Sequence, residues 1–175
     1  MKTLTKFASI ALVFGLAGVA QAQEQSTNRV NAERDWSVFV EENPTQCWVV
    51  SSPKETVNTR DGRVVAVNRG DILMFVSYWP NSGKMGEVSF TGGYPFGDGS
   101  TVTVEIGGTR FEMFTNGETA WAASADDDNK IITAMKRGAD ATVSGVSSRG
   151  TNTRDKFSLL GFTAALEDAE KRCSS

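Results

Sequence analysis

Two glycine-containing turns, set between stretches that alternate apolar and polar residues, constrain the fold more than any other feature of the sequence. In residues 101–106, valine and isoleucine alternate with threonine and glutamate. Gly107-Gly108 then leads into residues 110–115, and Asn116-Gly117 leads into residues 118–124. Two-residue connections of this kind adopt the positive φ angles that tight hairpins need. The pattern predicts a three-stranded antiparallel meander with one face buried and the other in water.

The rest of the chain from Asp35 onward also has the composition of a sheet protein. After residue 22 it contains 15 valines and 15 threonines but only four leucines, which favours strands over helices. Helices are predicted at residues 130–137, preceded by Asp126, Asp127 and Asp128, and at Thr163 to about Arg172. We therefore predict an all-β antiparallel sandwich with two short helices. The predicted strands are residues 35–41, 46–51, 63–67, 72–78, 87–91, 101–106, 110–115, 118–124, 141–147 and 156–160.

The N-terminus has the three-part pattern of a secretory signal. Residues 1–22 carry two lysines at the start, then an apolar run, and end in Ala20-Gln21-Ala22, which predicts cleavage before Gln23. A membrane anchor is the alternative, but the apolar run is too short to cross about 30 Å of hydrocarbon. We predict a signal peptide at 1–22, a polar, flexible lead-in at 23–34 and one domain at 35–175. The predicted location is periplasmic, with surface exposure or secretion as alternatives.

Cys47 and Cys173 are the two cysteines of the chain. Two thiols in an oxidising compartment tend to pair, so we predict a disulfide that closes a ring of 173 − 47 + 1 = 127 residues. Cys173 continues a helical apolar stripe with this spacing: Phe162, Ala165, Leu166 and Ala169. Redox catalysis is the alternative, but the chain has neither a CxxC pair nor a histidine to lower a thiol pKa.

Charge and composition argue against several classes of function. The chain has 18 basic residues, 21 acidic residues and no histidine; removal of Lys2 and Lys6 with the signal leaves 16 − 21 = −5. An acidic chain is not expected to bind nucleic acid, and the absence of histidine removes the commonest general base and metal ligand. We predict no enzymatic activity, no cofactor and no metal site. For Asp126 to Asp128, a helix start is favoured over calcium binding, because Lys130 follows immediately.

Two aromatic pairs are candidate contact residues for a partner. Tyr94 and Phe96 lie in the glycine-rich segment 92–99, and Tyr78-Trp79 ends a predicted strand. Exposed aromatic rings on rigid turns are typical of binding surfaces. The alternative is that these rings fold back and pack into the end of the sandwich. The remaining tryptophans are within predicted strands and are interpreted as core residues: Trp36, Trp48 and Trp121.

The polar stretch 147–155 is a further candidate site. Arg149 and Arg154 within it are suited to an acidic or sugar-like partner, and a solvated hairpin loop explains the same residues. Its serines and threonines have no histidine to activate them, so nucleophilic catalysis is not supported.

The C-terminal third resembles a known family. Ala134 to Gly138, Ser148 to Thr151 and the run Phe157 to Leu166 together resemble the invasion associated locus B family, and weaker likeness extends back to Asp35-Trp36 and Cys47-Trp48. The resemblance implies an immunoglobulin-like β-sandwich in the periplasm or at the surface of Gram-negative cells, with no known enzymatic activity and no catalytic residues. In some pathogens the family is linked to host-cell entry. Many members carry an additional mid-domain cysteine pair, which this chain lacks.

These observations together predict an exported, non-enzymatic domain that binds a protein or an envelope component. Two alternatives stay open: a structural or stress-protective envelope protein without a defined ligand, and a small hydrolase that uses paired carboxylates, whose separation a sequence does not give.

Overall fold

A computed structural model describes residues 28–43 and 45–174. The predicted signal peptide, its cleavage point and residues 23–27 of the lead-in lie outside the described residues. The described part contains twelve strands, two α-helices and a short 3₁₀ turn at Pro80–Ser82. The elements are β1 Arg29–Glu33, β2 Trp36–Glu42, β3 Thr45–Ser51, β4 Glu55–Arg60, β5 Arg63–Val64, β6 Leu73–Trp79, β7 Lys84–Thr91, β8 Thr101–Ile106, β9 Thr109–Asn116, β10 Thr119–Ala122, α1 Ala125–Arg137, β11 Asp140–Val146, β12 Asn152–Ser158 and α2 Phe162–Cys173.

The strands form one antiparallel ladder in the order β1-β2-β3-β6-β7-β10-β9-β8-β11-β12-β4-β5. The ladder folds over on itself, because Phe90 of β7 and Phe157 of β12 are far apart in this order yet have ring centroids 6.1 Å apart. The indole of Trp36 in β2 likewise donates to the carbonyl of Ser158, at 3.0 Å. The predicted antiparallel sandwich with two helices is confirmed, and its two layers are parts of one continuous sheet.

The core follows the alternation of the strands. Val102, Val104 and Ile106 of β8 are buried, as their spacing predicts. The predicted meander is confirmed as β8-β9-β10, and Gly107, Gly108 and Gly117 in its turns all have positive φ. Burial of each large apolar side chain contributes about 1.5 to 3 kcal/mol relative to exposure.

Helix α1 begins as the acidic run predicts. Ser124 is its N-cap, and the Ser124 hydroxyl accepts from the backbone N–H of Asp127 at 3.2 Å. Lys130 donates to the Asp127 carboxylate at 2.7 Å. A carboxylate oxygen of Asp128 accepts from the backbone N–H of Val88 at 2.8 Å, which ties the helix to β7. Desolvation by burial raises the pKa of Asp128. The acidic run is therefore a helix start.

The predicted disulfide is confirmed, and it joins β3 to the C-terminal helix. The apolar stripe of α2 predicted from the sequence is buried at each position, and it ends at Cys173. The bond links residues 126 positions apart, so it connects an early strand to the last element of the described chain.

Three local predictions are wrong, and one strand was not predicted. Residues 29–33 of the predicted lead-in form strand β1, whose backbone pairs with β2, because an edge strand gains ladder hydrogen bonds without needing an apolar face. Strand β4 was not predicted, since Glu55–Arg60 is polar and largely exposed. Of the predicted strand 63–67, only Arg63–Val64 is extended and paired. Half of the predicted polar loop 147–155 belongs to strand β12, which begins at Asn152.

Candidate functional site

A cleft of about 530 Å³ opens at one end of the sandwich. Its walls are the segments 66–69 and 93–95 and the turn 147–151, and Arg60 and Glu118 lie at its sides. We call it the loop-end cleft. The first two walls are held together where the N–H of Gly70 donates to the carbonyl of Gly93 at 2.8 Å. Gly93 has a φ of +69°, and a Cβ there would lie 2.5 Å from the Gly70 oxygen, so this crossing requires glycine.

Arg69 lies at the floor of the loop-end cleft and is paired with Asp155, which is buried behind it. Both terminal nitrogens of Arg69 donate to the two carboxylate oxygens of Asp155, at 2.8 and 2.7 Å. The Arg69 side chain is 6% exposed and that of Asp155 is 0% exposed. The Nε of Arg69 also donates to the carbonyl of Gly92 at 2.9 Å. A bidentate pair of this kind fixes both position and orientation, so the floor is rigid.

Tyr94 covers this ion pair. Its ring lies 4.9 Å from the Arg69 guanidinium carbon, in cation–π geometry. Its hydroxyl shares a hydrogen bond of 2.6 Å with the hydroxyl of Thr153, and its ring packs edge to face on Phe96 at 5.0 Å. Burial raises the pKa of the Tyr94 hydroxyl, although the Thr153 contact and the Arg69 charge oppose the shift. Tyr94 is therefore a neutral, oriented part of the cleft wall.

The turn 147–151 carries Arg149 on its exposed side. The hydroxyl of buried Ser147 accepts from the N–H of Thr151 at 3.1 Å, and the N–H of Ser148 donates to the carbonyl of Pro95 at 2.9 Å. Arg60 reaches the same turn, donating to the Thr151 hydroxyl at 2.6 Å. The backbone of the turn is thus fixed, while Arg149 makes no hydrogen bond or ion pair with any residue that the structure describes.

The structure brings two of the predicted contact residues together, Tyr94 and Arg149, both on the loop-end cleft. Tyr78 and Phe96 are 4% and 5% exposed, so their rings pack in the core, as the alternative reading proposed, and cannot contact a partner. Trp79 is exposed at the end of β6 that lies away from the loop-end cleft. Arg154 is exposed on the outer face of β12, opposite Val57.

Sequence reasoning did not single out Arg60, Arg69 and Glu118 of the cleft lining, or Asp155 behind it. The structure shows that Thr153, Asp155 and Phe157 are the buried positions of β12. In the sequence these positions carry no apolar alternation, so nothing indicates that the carboxylate points inward or that Arg69 is its partner.

A second feature of the surface is an aromatic groove of about 770 Å³. Phe114 and Trp121 stack there with centroids 5.7 Å apart, and Met85 is half exposed beside them. The interpretation of Trp121 as core is therefore wrong, and so is that of Trp48, which stacks on Phe39 at 5.4 Å and is only half-buried. Strand periodicity does not identify the buried face when both faces carry aromatics. Trp36 is fully buried, as predicted.

The described residues contain no group of three or more histidine, cysteine, aspartate or glutamate side chains arranged to hold a metal ion. Across residues 28–43 and 45–174, no helix has the length and apolarity needed to cross a membrane. Behind the cleft, both oxygens of the Asp155 carboxylate are engaged by Arg69.

Comparison with known proteins gives one family and one similar structure. The model of the family described as "Invasion associated locus B (IalB) protein" matches residues 36–170. No curated protein matches the sequence. The crystal structure of invasion associated protein B from Bartonella henselae is similar in fold, with a TM-score of 0.55 and 14% identity, over 83% of this chain and 98% of that one. Because the family model covers most of the chain, this protein belongs to the invasion associated locus B family.

Proposed function

We propose that this protein is an exported cell-envelope domain that binds a protein or an envelope component in the loop-end cleft and catalyses no reaction. The observation that carries the proposal is a rigid floor, built from the buried Arg69–Asp155 pair and Tyr94, beneath a rim with unengaged hydrogen-bond donors. Preorganised polar groups in a concave site favour binding because little conformational entropy is lost.

Export is part of the same proposal. Membership in a family of bacterial envelope proteins and a disulfide between distant elements both support an oxidising compartment. We place a signal peptide at residues 1–22, a single domain that includes strand β1 and the residues from 35 to 175, and the mature protein in the periplasm. Mass spectrometry of protein recovered from the periplasm should give an N-terminus at Gln23. An intact N-terminus in the cytoplasmic fraction contradicts this assignment.

The binding site is tested by photocrosslinking in living cells. A photoreactive residue in place of Asn68, an exposed residue of the cleft wall 66–69, should give an adduct whose partner mass spectrometry identifies. The same residue at position 82, in the 3₁₀ turn near the opposite end of β6, should not give that adduct. Host-cell proteins belong in the search when cells are infected, because the Bartonella henselae relative is described as invasion associated.

The identified partner is then titrated against purified variants. Ser148→Trp should fill the rim and abolish binding, whereas the matched Ser82→Trp should bind as the wild type does. Both serines are exposed, so both variants should fold. Unchanged binding by Ser148→Trp refutes the cleft as the site. Failure to obtain any adduct at position 68 favours a structural envelope protein without a ligand.

A further inference from the structure

Three arginines line the loop-end cleft, at positions 60, 69 and 149. Arg69 is neutralised by buried Asp155. Arg60 and Arg149, which line the cleft, form no ion pair with a described residue. In a chain whose net charge is −3, these two guanidinium groups are available to an outside anion.

Cations are also concentrated beside the cleft. Arg60 lies directly opposite Arg63 in the β4–β5 hairpin, and like charges at opposed positions destabilise a strand pair. Among the residues that line the cleft, Glu118 carries a carboxylate, and buried Asp155 neutralises Arg69 from behind. The lining groups Arg60, Arg69 and Arg149, set against Glu118 and Asp155, leave one positive charge in excess.

One of the two rim guanidiniums is oriented by a contact, since Arg60 donates to the Thr151 hydroxyl. The hydrogen-bonded turn 147–151 fixes the backbone from which the exposed Arg149 side chain extends. Planar guanidinium groups match the geometry of carboxylate and phosphate oxygens. The unpaired carboxylate of Glu118 cannot contact a bare anion favourably, but it accepts hydrogen bonds from hydroxyl groups. A ligand suited to all of these groups carries both an anionic group and hydroxyls.

We propose that the loop-end cleft binds an acidic saccharide, with its carboxylate or phosphate between Arg60 and Arg149 and its hydroxyls toward Glu118, Ser148 and Tyr94. This inference rests on the proposed function, because it assigns a ligand class to the same cleft. In envelope components the anionic group of such a saccharide is the carboxylate of a uronic acid or the phosphate of a sugar phosphate. The experiment therefore includes one sugar of each kind.

The test is calorimetric titration of the mature, oxidised protein with glucuronate, glucose 6-phosphate, glucose and inorganic phosphate. One or both acidic sugars should bind, with affinity falling as salt rises, and the one that binds identifies the anionic group. Glucose and inorganic phosphate should each bind about tenfold more weakly, because each lacks one set of contacts. If glucose binds as tightly as the acidic sugars, the anionic part of the assignment is overturned. If inorganic phosphate binds as tightly as glucose 6-phosphate, the saccharide part of the assignment is overturned.

Charge variants locate the site. The double variant Arg60→Gln/Arg149→Gln should weaken binding of the acidic sugar by about tenfold or more. The matched double variant Arg110→Gln/Arg172→Gln, which removes two exposed cations outside the cleft, should leave it unchanged. An equal loss of binding in the two double variants shows a nonspecific charge effect and overturns the inference. If no probe binds while Ser148→Trp still blocks the crosslinked partner, the saccharide proposal fails and the proposed function stands.

Discussion

Replacing Arg69 with methionine tests whether the buried ion pair holds the cleft and the fold together. The variant leaves the Asp155 carboxylate, which is 0% exposed, without its two bonds from the guanidinium. Removal of one partner from a buried pair costs about 3 to 5 kcal/mol, because a charge stays buried without compensation. The free energy of unfolding of a natural domain is about 5 to 15 kcal/mol. The variant should therefore lose a large fraction of its stability.

The measurement is urea unfolding of the oxidised protein, followed by tryptophan fluorescence. Arg69→Met should show a lower midpoint than the wild type, with a similar slope. The double variant Arg69→Met/Asp155→Leu should recover most of the loss, since apolar residues of similar volume replace a buried ion pair at little cost. A loss below about 1 kcal/mol in Arg69→Met, or a double variant no more stable than the single one, refutes the reasoning.

Two further predictions concern covalent and ionic contacts away from the cleft. Cys173→Ser should lower the free energy of unfolding by about 2 to 5 kcal/mol, because the bond from Cys173 to Cys47 closes a long loop. The reduced wild type should unfold at the same urea concentration as the variant. A variant midpoint equal to that of the oxidised wild type would contradict this prediction. A hydrogen bond from Lys130, and to a smaller extent one from Ser124, lowers the pKa of Asp127 below 3.8. The ionised form of Asp127 therefore stabilises the fold above about pH 3.8. This stabilisation is lost as the pH falls through the folded-state pKa. Asp127→Asn should be less stable than the wild type at neutral pH and equal to it in strong acid; a difference independent of pH in thermal unfolding would argue against the ion pair.

Local sequence signals predicted the parts of the fold that depend on neighbouring residues. The Gly107-Gly108 and Asn116-Gly117 turns gave the meander, because positive φ angles leave few alternatives. The apolar stripe that ends at Cys173 predicted helix α2 and its buried face. The disulfide to Cys47 followed from an oxidising compartment with two thiols, not from geometry.

The floor of the candidate site depends on contacts that no local pattern specifies. Arg69 and Asp155 are 86 positions apart, and they meet because the sheet folds over so that segment 66–69 crosses beside β12. The sequence of the polar stretch 147–155 indicates a loop, since an inward carboxylate breaks the apolar alternation that identifies a strand. Composition indicates a core position for Trp48 and Trp121 for the converse reason: an aromatic residue on the outer face has the same composition signal as one inside.

The cleft has two sets of charged groups: the buried pair at its floor determines stability, and the rim arginines are available for recognition. Arg69 balances a carboxylate that has no access to water, so changes at the floor alter the whole fold. Arg149 is exposed and without a described partner, and the Arg60 guanidinium contacts only a hydroxyl, so changes at the rim affect stability by about 0.5 kcal/mol or less. Because the floor stays fixed when the rim changes, the rim can acquire different ligand preferences without loss of the fold. Variation in ligand among proteins with this architecture should therefore be sought at the positions of Arg60 and Arg149 rather than at the buried pair.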